Sequence, residues 1–376
     1  MSQHSSRVII IGAGLAGLYA AWLLERRGMR DYLVLEAQSA PGGRIASLQP
    51  AGIDTGTSRR LDLGPTWFWP EHQREMGQLI QTLDLECFAQ QAAGDSLLER
   101  ATDKKPLRTA GIRDSLTAMR VVGGMEALIE RLRRDIPADK VLTGQVVRHL
   151  ERLPDGIALS AEDGSGHRMN YEVEQVLLAV PPRQALQHIQ FTPALPSALT
   201  TQWQQTATWM APHAKYLAVY DRPFWRETGL SGTARSARGP MVEIHDASPM
   251  EGLGALFGFV GIPAGYRRQI TPEALRQHCR AQLDRLFGPQ AASPQSDVLK
   301  DWATSPFIAS PADLEDVASH VSVPPPEAND GPWHQHLFGI ASEWSPQFPG
   351  HLAGAIDAAT QGVNRMLTAR YFPPRR

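Results

Sequence analysis

The run Val8-Ile9-Ile10-Ile11-Gly12-Ala13-Gly14-Leu15-Ala16-Gly17 leaves this chain few ways to fold. Four consecutive β-branched residues predict a strand buried on both faces, as in a parallel sheet. The strand enters a glycine turn, and an apolar helix over residues 15–27 follows, stopped at Gly28. Residues 32–35 predict a second strand, which ends at Glu36. Strand, glycine turn, helix, strand and acid together form the pattern of a dinucleotide-binding unit.

Each position has a physical task. Gly12 permits the tight turn, Gly14 leaves a path for a pyrophosphate, and Gly17 lets the helix close onto the sheet. Ala13, Leu15 and Ala16 complete the turn, where the helix N-terminus offers free N–H groups and a positive dipole end to phosphates. Glu36 can accept from both ribose hydroxyls and would repel a 2′-phosphate, which favours FAD or NAD over NADP. A glycine loop serving only as a tight turn would need neither the flanking elements nor the acid.

Residues 37–44 read Ala-x-x-x-x-Gly-Gly-Arg, from Ala37 to a pair at Gly42 and Gly43 and then Arg44. This extension resembles the second half of the nucleotide signature of the flavin-containing amine oxidases, the family of monoamine, polyamine and L-amino acid oxidases. The resemblance implies FAD rather than NAD. It also implies that Gly42 and Gly43 let the chain pass the pyrophosphate, with the Arg44 charge beside it.

The resemblance continues along the chain. Residues 59–70, RRLDLGPTWFWP, resemble the strand and turn that set backbone against the flavin ring, with the match carried by Asp62, Leu63, Gly64, Pro65 and Thr66. Trp67, Phe68 and Trp69 would then lie near the isoalloxazine, with Trp67 on the substrate side. An ordinary core strand with a proline turn reads the same way. Val121-Val122-Gly123-Gly124-Met125 and a helix over 126–134 resemble the return to the cofactor domain. Residues 140–150 predict a strand in which Val147 holds the place whose backbone bonds the adenine. Residues 176–182, VLLAVPP, predict a strand closed by Pro181 and Pro182, which lack N–H groups.

Residues 208–225, TWMAPHAKYLAVYDRPFW, resemble the strand that crosses beneath the flavin, and Lys215 matches the lysine that holds a water against flavin N5. Lysine is scarce here, confined to Lys104, Lys105, Lys140, Lys215 and Lys300. Inside an apolar strand, desolvation would make the ammonium acidic. A lysine at a strand end, with a buried stem and a wet head, is the structural alternative. Asp301-Trp302 resembles the family's tryptophan near the ring, which puts Trp302 at the substrate. Residues 337–366 resemble the C-terminal cofactor motif: Glu343 falls on a glutamate that contacts the ribityl-phosphate region. The helix opening at Leu352 would aim its N-terminus at the flavin pyrimidine carbonyls.

Several positions depart from the family pattern. Ala341 replaces a glycine, and a short insertion precedes Glu343. His351 stands where a tyrosine forms one wall of the amine cage. The other wall falls near Pro311 and Ala312, where there is neither an aromatic ring nor a cysteine to anchor the flavin. Between Glu86 and Val121 the family inserts a long helical segment; only about 35 residues remain for it here. The cap over the site is therefore expected to be a small helical one, or to be completed by the partner subunit of a homodimer.

The 376 residues suffice for two domains. With 37 basic against 39 acidic residues and a net charge of −2, nothing points to nucleic acid as a partner. No apolar stretch reaches the length of a membrane span, and MSQHSSR at the N-terminus does not read as a signal peptide. Residues 371–376 end in Pro-Pro-Arg-Arg, without the membrane anchor of some family members. Cys87 and Cys279 are the only cysteines, and nothing pairs them, which suits the cytoplasm. His334-x-His336 lacks a third ligand, so no metal is expected.

The expected fold is α/β. A Rossmann-like FAD-binding domain covers 1–76, 122–200 and 333–376, and a smaller α+β substrate domain covers 77–121 and 201–332. The resemblance implies a non-covalent FAD enzyme in which hydride passes from the α-carbon of an amine to flavin N5. The imine hydrolyses, and O2 takes the electrons as hydrogen peroxide. The same fold also serves desaturases and dehydrogenases with another acceptor. A lost cage and a thin cap would equally suit a flavin-bound binding protein without turnover.

Overall fold

The computed structural model describes residues 3–50, 59–102, 105–111, 116–315 and 323–369. Lys104 and residues 371–376 lie outside them. The chain divides into two compact units, Met1–Arg44 with Ile129–Met210 and Pro306–Arg376, and Ile45–Leu128 with Ala211–Ser305. Residues 45–76, grouped by sequence with the first domain, belong to the second unit. The cause is strand pairing: Ser47–Leu48 pairs with Leu61–Asp62, and Phe68 bridges to Met119.

The first unit is built on a five-stranded parallel sheet. Its order is Val141–Leu142, Tyr32–Leu35, Val8–Ile11, Gln175–Leu178, Leu337–Gly339. Val8–Ile11 and Gln175–Leu178 are buried at every position, which is why they read as continuous rather than alternating apolar runs. Helix Leu15–Arg26 leaves the first strand and packs against helix Leu352–Thr368. A second sheet runs Gln3–Ser5, Arg168–Val173, Gly156–Glu162, Val146–Leu153, Gln190–Thr192. The single strand predicted over 140–150 is in fact two. Val141–Leu142 serves the parallel sheet and Val146–Leu153 serves the second sheet. Between them Gln145 N donates to Glu36 O at 2.8 Å, and Gly144 N to Gln38 O at 2.9 Å.

The second unit carries a seven-stranded sheet. Its order is Ser296–Asp301, Ala214–Tyr220, Gly254–Val260, Met241–Asp246, Leu230–Ser236, Asp95–Glu99, Leu107–Thr109. Side chains alternate between its faces. Ala214, Tyr216, Ala218 and Tyr220 cluster with Leu275, Cys279 and Leu283 of helix Pro272–Phe287. Leu217 and Val219 cluster on the other face with Leu61, Ala255 and Phe257. Lys215 has the phase of Leu217, and the whole strand is buried. It is therefore not a wet lysine at a strand end.

Where the resemblance implies a small helical cap, the described residues between Glu86 and Val121 contain no helix. Cys87–Ala89 pairs with Met119–Val121, while Asp95–Glu99 and Leu107–Thr109 extend the large sheet. A segment this short meets its backbone hydrogen-bonding needs on an existing sheet edge; a helix would need an apolar stripe of its own. Among the described residues, no helix is long and apolar enough to cross a membrane.

Candidate functional site

The first unit holds a bare glycine cradle. Gly12 leaves the strand at φ +102°, a conformation glycine adopts without strain. A Cβ on Gly17 would overlap Gly12 O, so only glycine lets the helix close onto the strand. Gly14 differs: the nearest atom to its ideal Cβ is Gly43 Cα, at 3.8 Å. Gly14 bridges to Gly42, and Gly42 N donates to Ala13 O at 2.9 Å. The two glycine loops thus run side by side with unclothed backbone. Helix Leu15–Arg26 has Gly14 as its N-cap and no capping side chain, so its first N–H groups call for an external acceptor.

Glu36 is buried beside this cradle. It accepts from Ala13 N at 2.6 Å and from Gln38 N at 2.9 Å. Burial pushes its pKa up, and the backbone donors around Gln38, Ala13 and Ala37 pull it back. Arg44 grips buried Glu343 with both arms, at 2.6 and 3.1 Å, and also bonds Ser342 Oγ at 3.0 Å. The Arg44 charge is thus first of all the counter-charge of Glu343, a role the sequence does not show. Val147 faces Ala161 in the ladder, just before a register shift. Leu352 opens its helix behind His351, again without a capping side chain. The geometry fits a dinucleotide: the cradle is one that a Cβ would narrow, since at Gly43 it would come within 3.2 Å of Gly14 Cα. Two uncapped helix starts and a buried ribose-type carboxylate complete that fit.

The second unit holds the lysine. Lys215 is 3% exposed, and its Nζ donates to Thr66 Oγ1 at 2.8 Å and to Gly64 O at 3.1 Å. It also lies 3.9 Å from the centroid of the Phe257 ring. Burial drives its pKa down to about 7; the Asp62 carboxylate opposes the shift and the Arg120 charge adds to it. As a neutral amine, Lys215 has two N–H groups for these partners and one lone pair left over; as an ammonium it has a third N–H instead. In either state Nζ has one hydrogen-bonding position beyond these two partners.

The turn at residues 63–66 gathers the other candidates. Trp302 is buried and donates from Nε1 to Leu63 O at 3.2 Å, with Lys300 Nζ 4.3 Å over its ring. Pro65 stands between Gly64 and Thr66, the two partners of Lys215. Trp67 donates to Gln90 Oε1 at 2.7 Å and meets His245 edge-on at 4.8 Å and Phe257 at 5.4 Å. Gln90, His245 and Phe257 carry no motif. The strand register, which sets His245 opposite Phe257, is what reveals them.

His351 lies in the first unit, and its Nδ1 donates to Pro349 O at 3.0 Å, since a carbonyl only accepts. Its ring lies against Trp209, a residue the sequence does not mark, with centroids 4.4 Å apart and planes 38° apart. Helix Pro311–Glu315 carries Pro311 and Ala312, where the resemblance sets the missing cage wall, and its buried residue is Asp313. That buried carboxylate accepts from Arg183 Nη1 and Thr208 N at 2.8 Å, from Ser310 N at 2.9 Å and from Ser310 Oγ at 2.7 Å. Asp313→Ala should lower stability by about 3–5 kcal/mol, because Arg183 Nη1, Thr208 N and the Ser310 N–H and hydroxyl all lose a buried charged acceptor. Urea denaturation checks this; a loss under about 1 kcal/mol would show the pair to be dispensable.

The two histidines at 334 and 336 bond to backbone and to Arg152. His334 Nδ1 meets Ala328 O at 2.8 Å, and His336 Nδ1 meets Glu174 O at 3.0 Å while Arg152 reaches its Nε2 at 2.8 Å. No group of three metal-ligating side chains comes together among the described residues.

The sequence model of the flavin containing amine oxidoreductases matches residues 84–367. The chain belongs to this family. A model of NAD(P)-binding Rossmann-like domains matches residues 10–83. Membership makes a flavin the cofactor that the glycine cradle fits. A Mycobacterium tuberculosis protein named as a flavin-containing monoamine oxidase, AofH, is 29% identical over 273 residues, covering 68% of this chain and 54% of its own. The putrescine oxidase of Kocuria rosea is 30% identical over 219 residues, covering 52% and 43%. The chain thus spans about half the length of the curated relatives it matches. A solved structure of wild-type putrescine oxidase bound to putrescine shares the fold, with a TM-score of 0.81 at 20% identity, over 98% of this chain and 100% of that one.

Proposed function

We propose that this family member is an FAD-dependent amine oxidase. It holds FAD without a covalent link and oxidises the C–N bond of a small amine to an imine, with O2 as the acceptor. The observation that carries this reading is Lys215, buried on an apolar sheet face and tied to Thr66 and Gly64 with a pKa of about 7.

Bound FAD would supply the two-electron chemistry. The chain's own residues supply position, dryness and charge. Glu36, with Ala37 behind it, holds the ribose hydroxyls, and the Val147 backbone meets the adenine. Ala13, Gly14, Leu15, Ala16 and Gly43 admit the pyrophosphate, with Gly12 and Gly17 shaping the turn. Arg44 and Glu343 act as one ion pair beside it. The helix start at Leu352 would offer its dipole to the ring. Lys215 would hold a water through its remaining position and can gain or lose a proton near neutral pH. In the second unit Trp67 and Trp302 would be the residues near the substrate, and in the first unit His351 would hold the one remaining wall position. No cysteine stands near Pro311, and burial lifts the Cys87 and Cys279 thiols to about 11 and about 12, so neither is a ready nucleophile. Two unpaired cysteines suit a cytoplasmic location.

The purified protein should be yellow, release intact FAD on heating, bleach under anaerobic amine and recover colour in air. Failure of every mono-, di- and amino-acid amine to bleach it would overturn the oxidase reading. Flavin left on the denatured chain would overturn the non-covalent part.

A further inference from the structure

A planar group held between two aromatic walls needs them about 7–8 Å apart, twice a van der Waals contact. Trp209 and His351 leave no such gap: their centroids are 4.4 Å apart. The tryptophan is fixed in this position from both sides along the chain. Thr208 N donates to Asp313 Oδ1 at 2.8 Å, and Met210 takes φ +64°, uncommon outside glycine. The partner segment makes room for it. Gly350 has φ +80°, and a Cβ there would lie 2.9 Å from Trp209 Cβ and 3.2 Å from its Cε3. Asp313 itself sits in helix Pro311–Glu315, whose Pro311 and Ala312 lack the second aromatic wall. The backbone before the indole is thus tied to the helix of the vacated wall, and the ring is laid against the residue that holds the other one. The indole is half-buried.

We propose that Trp209 is a specificity-determining residue of the amine site: its indole takes the place of a sandwiched substrate against His351, so an amine is held against one aromatic face rather than between two. The proposal rests on the amine oxidase reading and deepens it by substrate class. Flat arylalkylamines gain no second stacked face here, while saturated or branched amines of the same size lose nothing.

The test compares benzylamine with cyclohexylmethylamine, which has the same skeleton without a flat ring. Trp209→Ala opens the slot and should raise the benzylamine to cyclohexylmethylamine ratio of kcat/KM by about tenfold or more. Trp209→Phe keeps a stacked ring and should hold the ratio within about threefold of wild type. If Trp209→Ala loses flavin, Trp209→Leu should move the ratio the same way by about threefold. A second readout needs no turnover: indole ring current should shift the His351 ring protons upfield in the NMR spectrum. Trp209→Ala should abolish that shift and Trp209→Phe should retain part of it. A wild type that oxidises amines while the ratio stays put in both the Ala and Leu variants overturns this proposal alone, as does an unshifted His351 signal. A wild type inert to every amine overturns the oxidase reading and this proposal together.

Discussion

Gly14→Val should yield a folded, colourless protein. The ideal Cβ at Gly14 finds Gly43 Cα at 3.8 Å and Gly42 O at 4.0 Å, which is ordinary contact. The backbone there, at φ −73° and ψ −175°, is open to valine. The chain can therefore accept the branch, but the branch then fills the strip between the two glycine loops, where a pyrophosphate has to pass. Gly17→Ala is the contrast. Its methyl would overlap Gly12 O, a backbone atom that cannot turn aside, so this smaller change should cost the turn itself. The flavin-to-protein absorbance ratio and far-UV circular dichroism separate the two. Wild-type flavin content in Gly14→Val would sink the cradle assignment. A fully folded, yellow Gly17→Ala would show that the helix start can yield.

Lys215→Met should leave the FAD in place and slow reoxidation of the reduced enzyme by O2 about a hundredfold, the scale of losing one preorganised donor in a dry site. Methionine keeps the stem volume, so the apolar face should stay packed. Stopped-flow mixing of reduced enzyme with oxygen reads the rate directly; an unchanged rate would make Lys215 a structural residue. Stability carries an independent signature. The folded pKa of about 7 lies below the ordinary 10.5. Between those values the unfolded chain holds the proton and the folded chain does not, so this lysine's contribution to stability rises with pH across that window. The slope is about 1.4 kcal/mol per pH unit for one proton. Below about pH 7 both states are protonated and this slope vanishes, leaving the full cost of the buried charge. Denaturation curves at several alkaline pH values should show the slope in the difference between wild type and Lys215→Met, because the raised Cys87 and Cys279 thiols titrate alike in both.

Residues 8–36 are legible position by position because their demands are local: a turn, a close approach, a helix start, an acid at a strand end. The lysine was legible as an anomaly, a charge in an apolar strand. Its partners Thr66 and Gly64 lie 149 and 151 residues away, and only the family resemblance connects them to it. Trp209, Gln90 and Phe257 were not legible. Their importance comes from ring contacts and strand register between distant segments, which leave no periodic trace. The segment after Glu86 departs from the expected helix for a different reason. Its strands are three to five residues long, too short for a two-residue alternation to stand out against an expected helix.

The parallel sheet also sets a timetable for synthesis. Gln175–Leu178 pairs with Val8–Ile11 on one side and waits for Leu337–Gly339 on the other. At about 5–20 residues per second, the ribosome needs roughly ten to thirty seconds to make the intervening chain. Throughout that interval one strand edge stays unpaired, and the flank of helix Leu15–Arg26 that will meet Leu352–Thr368 stays bare. An apolar edge of this kind is a template for the wrong partner. The newborn polypeptide is therefore most vulnerable to misassociation before residue 339 emerges, and soluble yield should improve when growth is cooled or a holding chaperone is supplied.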